Sequence, residues 1–193
     1  MRSADIDEGE VEVSGPKLQR NLVLTQDMKR VVSEQRLGFV ATVCADGTPS
    51  LSPKGTTAIW DDEHLVFADI RSPGTADNLR ARPVVEVNVV DPIARKGYRF
   101  KGEARVLTEG ALFEQILAFY DSGAAPVQNA RSRIRSVVLV RIERALPLDS
   151  PAYDLGRTEE AVRAQWWSHY AQLINRPPPG ATGYDGAGRQ LPE

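Results

Sequence analysis

The feature of the sequence that most constrains the fold is a series of short β-type segments joined by turn residues. Residues 38–44 are rich in β-branched and aromatic side chains, and residues 50–60 resume this pattern after an Asp-Gly dipeptide at 46–47. Asp-Gly between two such runs is a strong signal for a tight hairpin. We therefore expect two adjacent antiparallel strands, the second of them interrupted at Pro53 and Gly55.

The rest of the chain continues in the same way, with a few helices between the strands. Further strands are predicted over residues 64–70, 84–90, 98–107 and 137–142, and helical periodicity covers residues 25–36, 76–82, 109–120 and 158–174. The strands and helices do not alternate regularly, so a doubly wound parallel sheet is not expected. Six strands joined mostly by short turns predict a mainly β chain with peripheral helices, arranged as a closed or partly open antiparallel barrel.

Composition is that of an ordinary globular chain and excludes several classes of partner. The net charge of −2 over 193 residues gives no general attraction for nucleic acid or an anionic membrane. Cys44 is the single cysteine, so no intramolecular disulfide can form. Neither a signal peptide nor an apolar run long enough to cross a membrane is present, and a cytoplasmic location is expected.

Four regions differ in composition. Residues 1–16 are acidic with few apolar anchors and are expected to form a flexible arm, and residues 17–150 hold the predicted barrel. Residues 151–175 form a helical extension, and residues 176–193 a disordered tail rich in Pro and Gly.

Several segments, taken in order, resemble the pyridoxamine 5′-phosphate oxidase-like FMN-binding proteins. They are the hairpin LGFVATV and DGTP, the strand LVFAD, the turn SPGT, the short helix that closes at Arg82-Pro83, and the strand RKGYRFKGEA that ends in Gly-x-Ala. The resemblance covers residues 37–107 and extends to residue 144. It implies a six-stranded antiparallel split β-barrel and a homodimer in which residues of both chains complete each FMN site.

The chain departs from the family pattern where the true oxidases hold phosphate and substrate. Those enzymes carry an Arg-x-Val-Leu-Leu-Lys strand, and an ungapped comparison places Pro53 and Ala58 at its two basic positions. The same comparison places Gly74 and Thr75 where the family has an Arg-Lys pair. Oxidation of pyridoxamine phosphate itself is therefore not expected.

The turn at residues 72–75 is the candidate phosphate site. Thr75 would cap the following helix, whose N-terminus attracts anions, while Gly74 allows close backbone approach and Ser72 adds a hydroxyl. Asn78 would occupy the N3 position of the same helix. The alternative is that Thr75 only caps the helix and binds no ligand.

The interrupted strand supplies the second group of candidates. A strand broken by Pro and Gly frees backbone groups that can meet the edge of a flavin ring, and Lys54 can neutralise either the phosphate or reduced flavin. The alternative is an edge strand blunted by Lys and Pro against aggregation. The candidate residues in this segment are Ser52, Lys54, Gly55, Thr56 and Thr57.

Basic residues further along provide the positive charge that the altered turn lacks. Arg99 and Lys101 share one face of a predicted strand, and Lys96 lies in the loop before it. The alternative is a solvated basic face. Aromatic residues Tyr98 and Phe100 point to the opposite face, which disfavours a nucleic-acid patch.

The predicted C-terminal helix carries Trp166, Trp167 and Tyr170, which most often form a buried stripe and alternatively cover a flavin or dock on a second subunit. His64 and His169 have no ligand set beside them, so no metal site is expected.

These observations favour an FMN-dependent oxidoreductase, in which the cofactor carries the chemistry and a nicotinamide is a compatible electron donor. No side chain is identified as a catalytic acid or base. Two alternatives stay open: a flavin-binding protein for storage or sensing, and the same fold using F420 or haem. The run Arg131, Arg133 and Arg135 could bind the polyglutamate tail of F420, whereas haem would need an axial histidine.

Overall fold

The computed structural model describes residues 24–123 and 131–176. Over these residues a single sheet has the strand order β2-β1-β5-β6-β7-β4-β3, and every pairing is antiparallel. The strands are β1 Gly38–Val43, β2 Pro49–Lys54, β3 Ala58–Ile59, β4 His64–Asp69, β5 Val84–Asp91, β6 Lys96–Leu107 and β7 Ser136–Asp149. The predicted N-terminal arm and, apart from Arg176, the predicted tail lie outside the described residues.

The predicted hairpin is confirmed. Strands β1 and β2 pair in the register Phe39 with Pro53 and Val43 with Pro49. Gly47 has a φ of 87°, a conformation that glycine adopts at little cost, and the Asp46 carboxylate accepts the Thr48 N–H at 2.9 Å.

The sheet has seven strands rather than the predicted six, because the segment at 50–60 divides at its Pro and Gly residues. Strand β2 ends at Lys54 and strand β3 begins at Ala58. These two strands form opposite edges of the sheet. Residues 55–57 alone connect them, so the sheet must curl until its edges approach each other. The result is a split barrel, and we call residues 54–57 the seam.

Strands β6 and β7 form the longest pairing, and β7 runs seven residues beyond its predicted end at Ile142. The register shifts between Lys101 and Gly102, which marks a β-bulge. A Cβ at Gly102 would lie 1.9 Å from the Arg141 carbonyl oxygen, so this crossing of the two strands requires glycine.

Within the described residues four helices accompany the sheet: α1 Gln26–Gln35, α2 Pro73–Ala81, α3 Ala111–Asp121 and α4 Glu159–Ile174. Thr25 and Thr158 cap the first and last of them through their side chains. No helix in the described ranges is both long and apolar enough to cross a membrane.

Alternate residues of the strands face two apolar clusters. Inside the barrel, Val87 and Phe100 are fully buried and pack with Val32 of α1. On the other side of β4 and β7, Ile116 and Tyr120 of α3 form a second cluster with neighbouring buried residues. The second cluster holds α3 beside the seam.

Candidate functional site

The last residue of β2 is a buried lysine whose partners are hydroxyl groups. Lys54 is 4% exposed, and its Nζ donates to Ser52 Oγ at 2.8 Å and to Thr75 Oγ1 at 3.2 Å. Burial lowers the pKa of the Lys54 amine, and the nearby carboxylate of Asp69 partly opposes this effect. Among the described residues no carboxylate forms an ion pair with Lys54, so the amine retains capacity for an anion. We call Ser52, Lys54 and Thr75 the Lys54 cluster.

The first turn of helix α2 lies at this cluster, and the helix begins earlier than the sequence predicts. The predicted helix begins at Ala76 with Thr75 as its cap, whereas the observed helix begins three residues earlier, at Pro73. Proline is well suited to the first helical position, where its missing N–H has no partner to lose. Thr75 therefore lies within the first turn, and its hydroxyl meets Lys54 instead of capping the helix.

Ser72 is the observed N-cap, yet its side chain makes no capping hydrogen bond. Its backbone N–H instead donates to Asp69 Oδ1 at 2.7 Å, which fixes the approach to α2. Directly across the sheet from Asp69 is Ser136, and the buried Ser136 Oγ has no hydrogen-bond partner in the described part of the chain. An unpaired buried hydroxyl is rare and is a group that a ligand or water normally satisfies.

The two predicted glycines leave space beside the cluster. A Cβ built on Gly55 or on Gly74 would meet no atom within 4 Å. Both residues are exposed, and Ser52 and Ser72 are half-buried. A ligand can therefore approach the Lys54 cluster along backbone that no side chain covers.

The predicted threonines of the seam hold its backbone rather than facing open space. Thr56 Oγ1 accepts the Ala68 N–H at 2.9 Å and lies 3.2 Å from the Ala68 carbonyl oxygen. Thr57 Oγ1 donates to the Lys54 carbonyl at 2.9 Å. Both threonine hydroxyls are engaged by backbone groups, so these residues fix the turn that carries Lys54.

Sequence reasoning missed Tyr120, which anchors the same turn from α3. Its hydroxyl donates to the Thr56 carbonyl at 2.9 Å, and burial raises the pKa of this phenol above its ordinary value. The available signal was helical spacing, because Ile116 and Tyr120 lie four residues apart on the buried face of α3.

Asn78 lies on the side of α2 that faces β1. Its amide donates to Thr42 Oγ1 at 3.0 Å and approaches Cys44 Sγ at 3.6 Å. These contacts tie α2 to β1, and none of them involves the Lys54 cluster.

Lys96 and Arg99 are not brought to the Lys54 cluster. Lys96 is the first residue of β6 rather than part of the preceding loop, because the β5–β6 pairing begins at Asp91 opposite Lys96. Its Nζ pairs with Glu159 of α4 at 3.0 Å, and this hydrogen bond raises the pKa of Lys96. Arg99 shares a strand face with Lys101, as predicted, and both pair with Glu86 at 3.0 and 3.3 Å.

Lys96 lines a cavity of about 320 Å³ between α1, the β5–β6 turn and α4. The charged groups around it are largely paired with one another, as in the contacts of Arg163 with Asp91 at 3.0 Å and Glu159 at 2.8 Å. Desolvation and the hydrogen bond to Asp27 raise the pKa of Tyr98 in this cavity to about 12. The network docks α4 on the barrel.

The aromatic residues of α4 do not form the predicted buried stripe. Val162 is the buried residue of this helix, whereas Trp167 is 68% exposed. Trp166 is half-buried, and the Arg95 guanidinium lies 3.7 Å from its ring centroid. Polar and cation–π contacts therefore hold α4, because the helix has no continuous apolar face.

The outer sheet face, which we define by Phe39, Leu51 and Val84, carries exposed apolar side chains. These residues are 40%, 66% and 52% exposed. Register places them on one face of β1, β2 and β5, with Glu86, Arg99 and Lys101 beside them. A groove of about 450 Å³ runs along this face.

Comparison with known proteins identifies what the barrel resembles. The family model described as pyridoxamine 5′-phosphate oxidase matches residues 24–148. No curated protein sequence gives a significant match. A tagged form of Group A Streptococcus HupZ is 32% identical, with a TM-score of 0.57 over 65% of this chain and 94% of that chain.

Two more distant structures share the fold alone. A pyridoxamine 5′-phosphate oxidase-related, FMN-binding protein from Nostoc punctiforme is 17% identical, with a TM-score of 0.50 over 64% of this chain and 78% of that chain. A protein described as an F420 reductase is 23% identical, with a TM-score of 0.50 over 63% of this chain and 98% of that chain. The family model matches well over half of the residues, and the split barrel agrees with it. The chain therefore belongs to the pyridoxamine 5′-phosphate oxidase-like family of split-barrel proteins.

Proposed function

We propose that this protein is an FMN-dependent oxidoreductase in which the Lys54 cluster binds the phosphate of the cofactor. The observation that carries the proposal is the Lys54 amine, which is buried at the seam, faces the first turn of α2 and has hydroxyl groups as its partners among the described residues. A buried amine without a carboxylate partner is costly unless an anion compensates it. Phosphate is suited to this role because it accepts hydrogen bonds from both amine and hydroxyl groups.

The chain's own groups fit a phosphate in three ways. Lys54 supplies the charge, and Thr75 and Ser52 supply hydroxyls that can turn toward the ligand. The dipole at the N-terminus of α2 adds a favourable interaction energy of about 0.3–1 kcal/mol with an anion. Open space at Gly55 and Gly74 admits the ligand. Lys54 thus offers a replacement for the basic residues that the chain lacks at Gly74 and Thr75.

When bound, FMN would supply hydride chemistry at its ring system. The protein's task would be to hold the phosphate, orient the ring and limit the access of water. Thr57 and Tyr120 contribute indirectly, because they fix the backbone of Lys54 and Thr56. Since Pro53 and Ala58 replace the basic positions of the true oxidases, we do not assign pyridoxamine phosphate as substrate.

We further propose a homodimer formed through the outer sheet face. Phe39, Leu51 and Val84 expose apolar surface side by side on three neighbouring strands rather than as scattered residues. Glu86 holds Arg99 and Lys101 on the same face, so a polar margin lies beside the apolar centre. Both features are typical of a surface that a second copy of the chain covers.

Reconstitution with FMN followed by gel filtration tests the proposal. We expect a yellow protein that elutes as a dimer, and oxidation of NADPH in the presence of an added electron acceptor. Bound flavin without turnover with any nicotinamide would instead assign the protein to flavin storage or sensing. A colourless protein after reconstitution would contradict the cofactor assignment.

A further inference from the structure

Two buried polar side chains lie side by side at the end of the barrel that holds the Lys54 cluster. Asp69 ends β4 and is directly opposite Ser136, the first residue of β7, so their side chains are on one face of the sheet. Phe67 and Val138, two positions further along these strands, are also opposite each other and pack inside the barrel. Asp69 and Ser136 therefore face the barrel interior, where they are 4% and 1% exposed.

A path of hydrogen bonds connects the Asp69 carboxylate to the Lys54 amine. Asp69 Oδ1 accepts the Ser72 N–H at 2.7 Å, and the Ser72 carbonyl accepts the Thr75 N–H at 3.1 Å. The Thr75 hydroxyl in turn accepts from Lys54 Nζ at 3.2 Å. The carboxylate and the amine are thus held at the same turn, where α2 begins.

The chain itself does not satisfy these two buried groups. Among the described residues, Ser136 Oγ has no hydrogen-bond partner, and the Asp69 carboxylate accepts the single bond from Ser72 and forms no ion pair. An ionised carboxylate has about four acceptor positions, so most of its capacity is unused. A buried polar group without a partner costs free energy that a ligand can recover.

The donors and the acceptor at this turn match a phosphate group that still carries one proton. Such a phosphate has one O–H donor, and its other oxygens accept hydrogen bonds. Lys54 and Ser136 can donate to those oxygens, whereas an ionised Asp69 can only accept and so needs the proton. A sulfate would place a second anion against Asp69 with no proton between them. The second pKa of a phosphate ester is about 6, so the protonated form is available at slightly acidic to neutral pH.

We propose that Asp69 accepts a hydrogen bond from the phosphate of the ligand, so that the site selects a protonated phosphate group over a sulfate. Ser136 donates to another oxygen of the same phosphate. This inference rests on the proposed function and makes its ligand class more specific. Asp69 supplies the selection, because Lys54 by itself attracts either anion.

The test compares inorganic phosphate with sulfate, which have the same tetrahedral shape but differ in protonation at about pH 6. Each ion is titrated into the unliganded protein at constant ionic strength, and its dissociation constant is obtained from the rise in Tm. Lys54→Met reports the general effect of the two salts on stability. The variant is Asp69→Asn, whose amide still accepts the Ser72 N–H and can donate to sulfate. The matched control is Asp77→Asn, which removes the same charge from an exposed position on α2.

We expect phosphate to bind at least about tenfold more tightly than sulfate to the unaltered protein and to Asp77→Asn, as one hydrogen bond to a charged group supports. In Asp69→Asn the two ions should bind within about twofold of each other. Equal binding of the two ions to the unaltered protein would overturn the inference, and so would a preference for phosphate that survives in Asp69→Asn.

Ser136→Ala separates a ligand contact from a structural role. Because the Ser136 hydroxyl has no partner in the described part of the chain, its removal should leave the Tm of the unliganded protein unchanged or slightly higher. The FMN dissociation constant should still increase about threefold to tenfold. A lower Tm with unaltered FMN affinity would contradict the contact with the ligand. Failure of the proposed function has a different signature, since FMN would then bind no more tightly than riboflavin, whatever the two ions show.

Discussion

Lys54 Nζ donates a hydrogen bond to Thr75 Oγ1 at 3.2 Å, across a sequence separation of 21 residues. This contact joins the end of β2 to the first turn of α2 at the point where the two edges of the sheet approach. An amine, two hydroxyls and a helix N-terminus are thereby collected at the seam.

The buried Lys54 amine predicts a characteristic pH dependence of stability. Because the pKa of Lys54 is lowered from 10.5, the unfolded chain binds more protons than the folded chain between the lowered value and 10.5. The free energy of unfolding of the unliganded protein should therefore rise with pH over that interval. Lys54→Met should abolish this rise, as measured by urea unfolding at a series of pH values. The control Lys29→Met, at a lysine that pairs with Asp62, should retain it, and a rise that persists in Lys54→Met would contradict the assignment.

Affinity for FMN should change with pH in the opposite direction. The charged amine binds the phosphate, so FMN affinity should fall as pH rises through the lowered pKa of Lys54. Riboflavin lacks the phosphate and should show no such fall, which a titration of flavin fluorescence at each pH can establish. Parallel curves for the two ligands would contradict a role for Lys54 in phosphate binding.

Removal of the Tyr120 hydroxyl should loosen the seam. Tyr120→Phe leaves the Thr56 carbonyl without its partner at 2.9 Å, and we expect a loss of about 1–3 kcal/mol in the free energy of unfolding. Thermal denaturation should show a lower Tm, and the FMN dissociation constant should increase as Lys54 loses its support. The control is Tyr170→Phe, on the exposed helix α4, which should change neither quantity.

Helix α4 should be sensitive to the loss of its ionic contacts. Arg163→Gln breaks the contact at 3.0 Å with Asp91, whose side chain is 10% exposed. Since α4 has little apolar contact with the barrel, we expect faster amide hydrogen exchange across α4 and unchanged exchange in β5 and β6. Arg157→Gln, which removes a contact within the extension, should leave exchange across the later turns of α4 unchanged. Equal exchange in the two variants would contradict ionic docking.

A charge on the outer sheet face should prevent dimer formation. Leu51 is 66% exposed in one chain, so Leu51→Arg should not unfold the monomer, but it would place a charge in the proposed interface. Light scattering coupled to gel filtration should show a monomer. Leu155→Arg, at a residue that is 82% exposed in the C-terminal extension, should remain a dimer. A Leu51→Arg dimer would exclude this face as the interface.

The sequence predicted the hairpin and the interruption of the second strand at Pro53 and Gly55 because the signals are local. Asp46-Gly47 specifies a tight turn, and Pro53 and Gly55 mark where a strand must break. It did not predict that the break creates both edges of the sheet. That outcome depends on β4 pairing with β7, whose partners are separated by about 70 residues.

Local sequence signals also gave the wrong start for α2 and the wrong buried face for α4. Thr75 is a good cap, but Pro73 favours the first helical position more strongly, and the helix begins there. The aromatic residues of α4 suggested a buried stripe. The orientation of the helix is instead set by two ion pairs, Lys96 with Glu159 and Asp91 with Arg163. Such contacts between distant segments cannot be read from spacing within one element.

Phosphate binding by Lys54 is tested most directly by the affinity of Lys54→Met for FMN and riboflavin at neutral pH, compared with the unaltered chain and Lys29→Met. We predict that Lys54→Met binds FMN about 10- to 100-fold more weakly, which corresponds to about 1.5–3 kcal/mol for hydrogen bonds to a charged group. Riboflavin affinity should be unchanged in both variants, and FMN affinity unchanged in Lys29→Met. Unaltered FMN affinity in a folded Lys54→Met protein would show that Lys54 does not bind the phosphate.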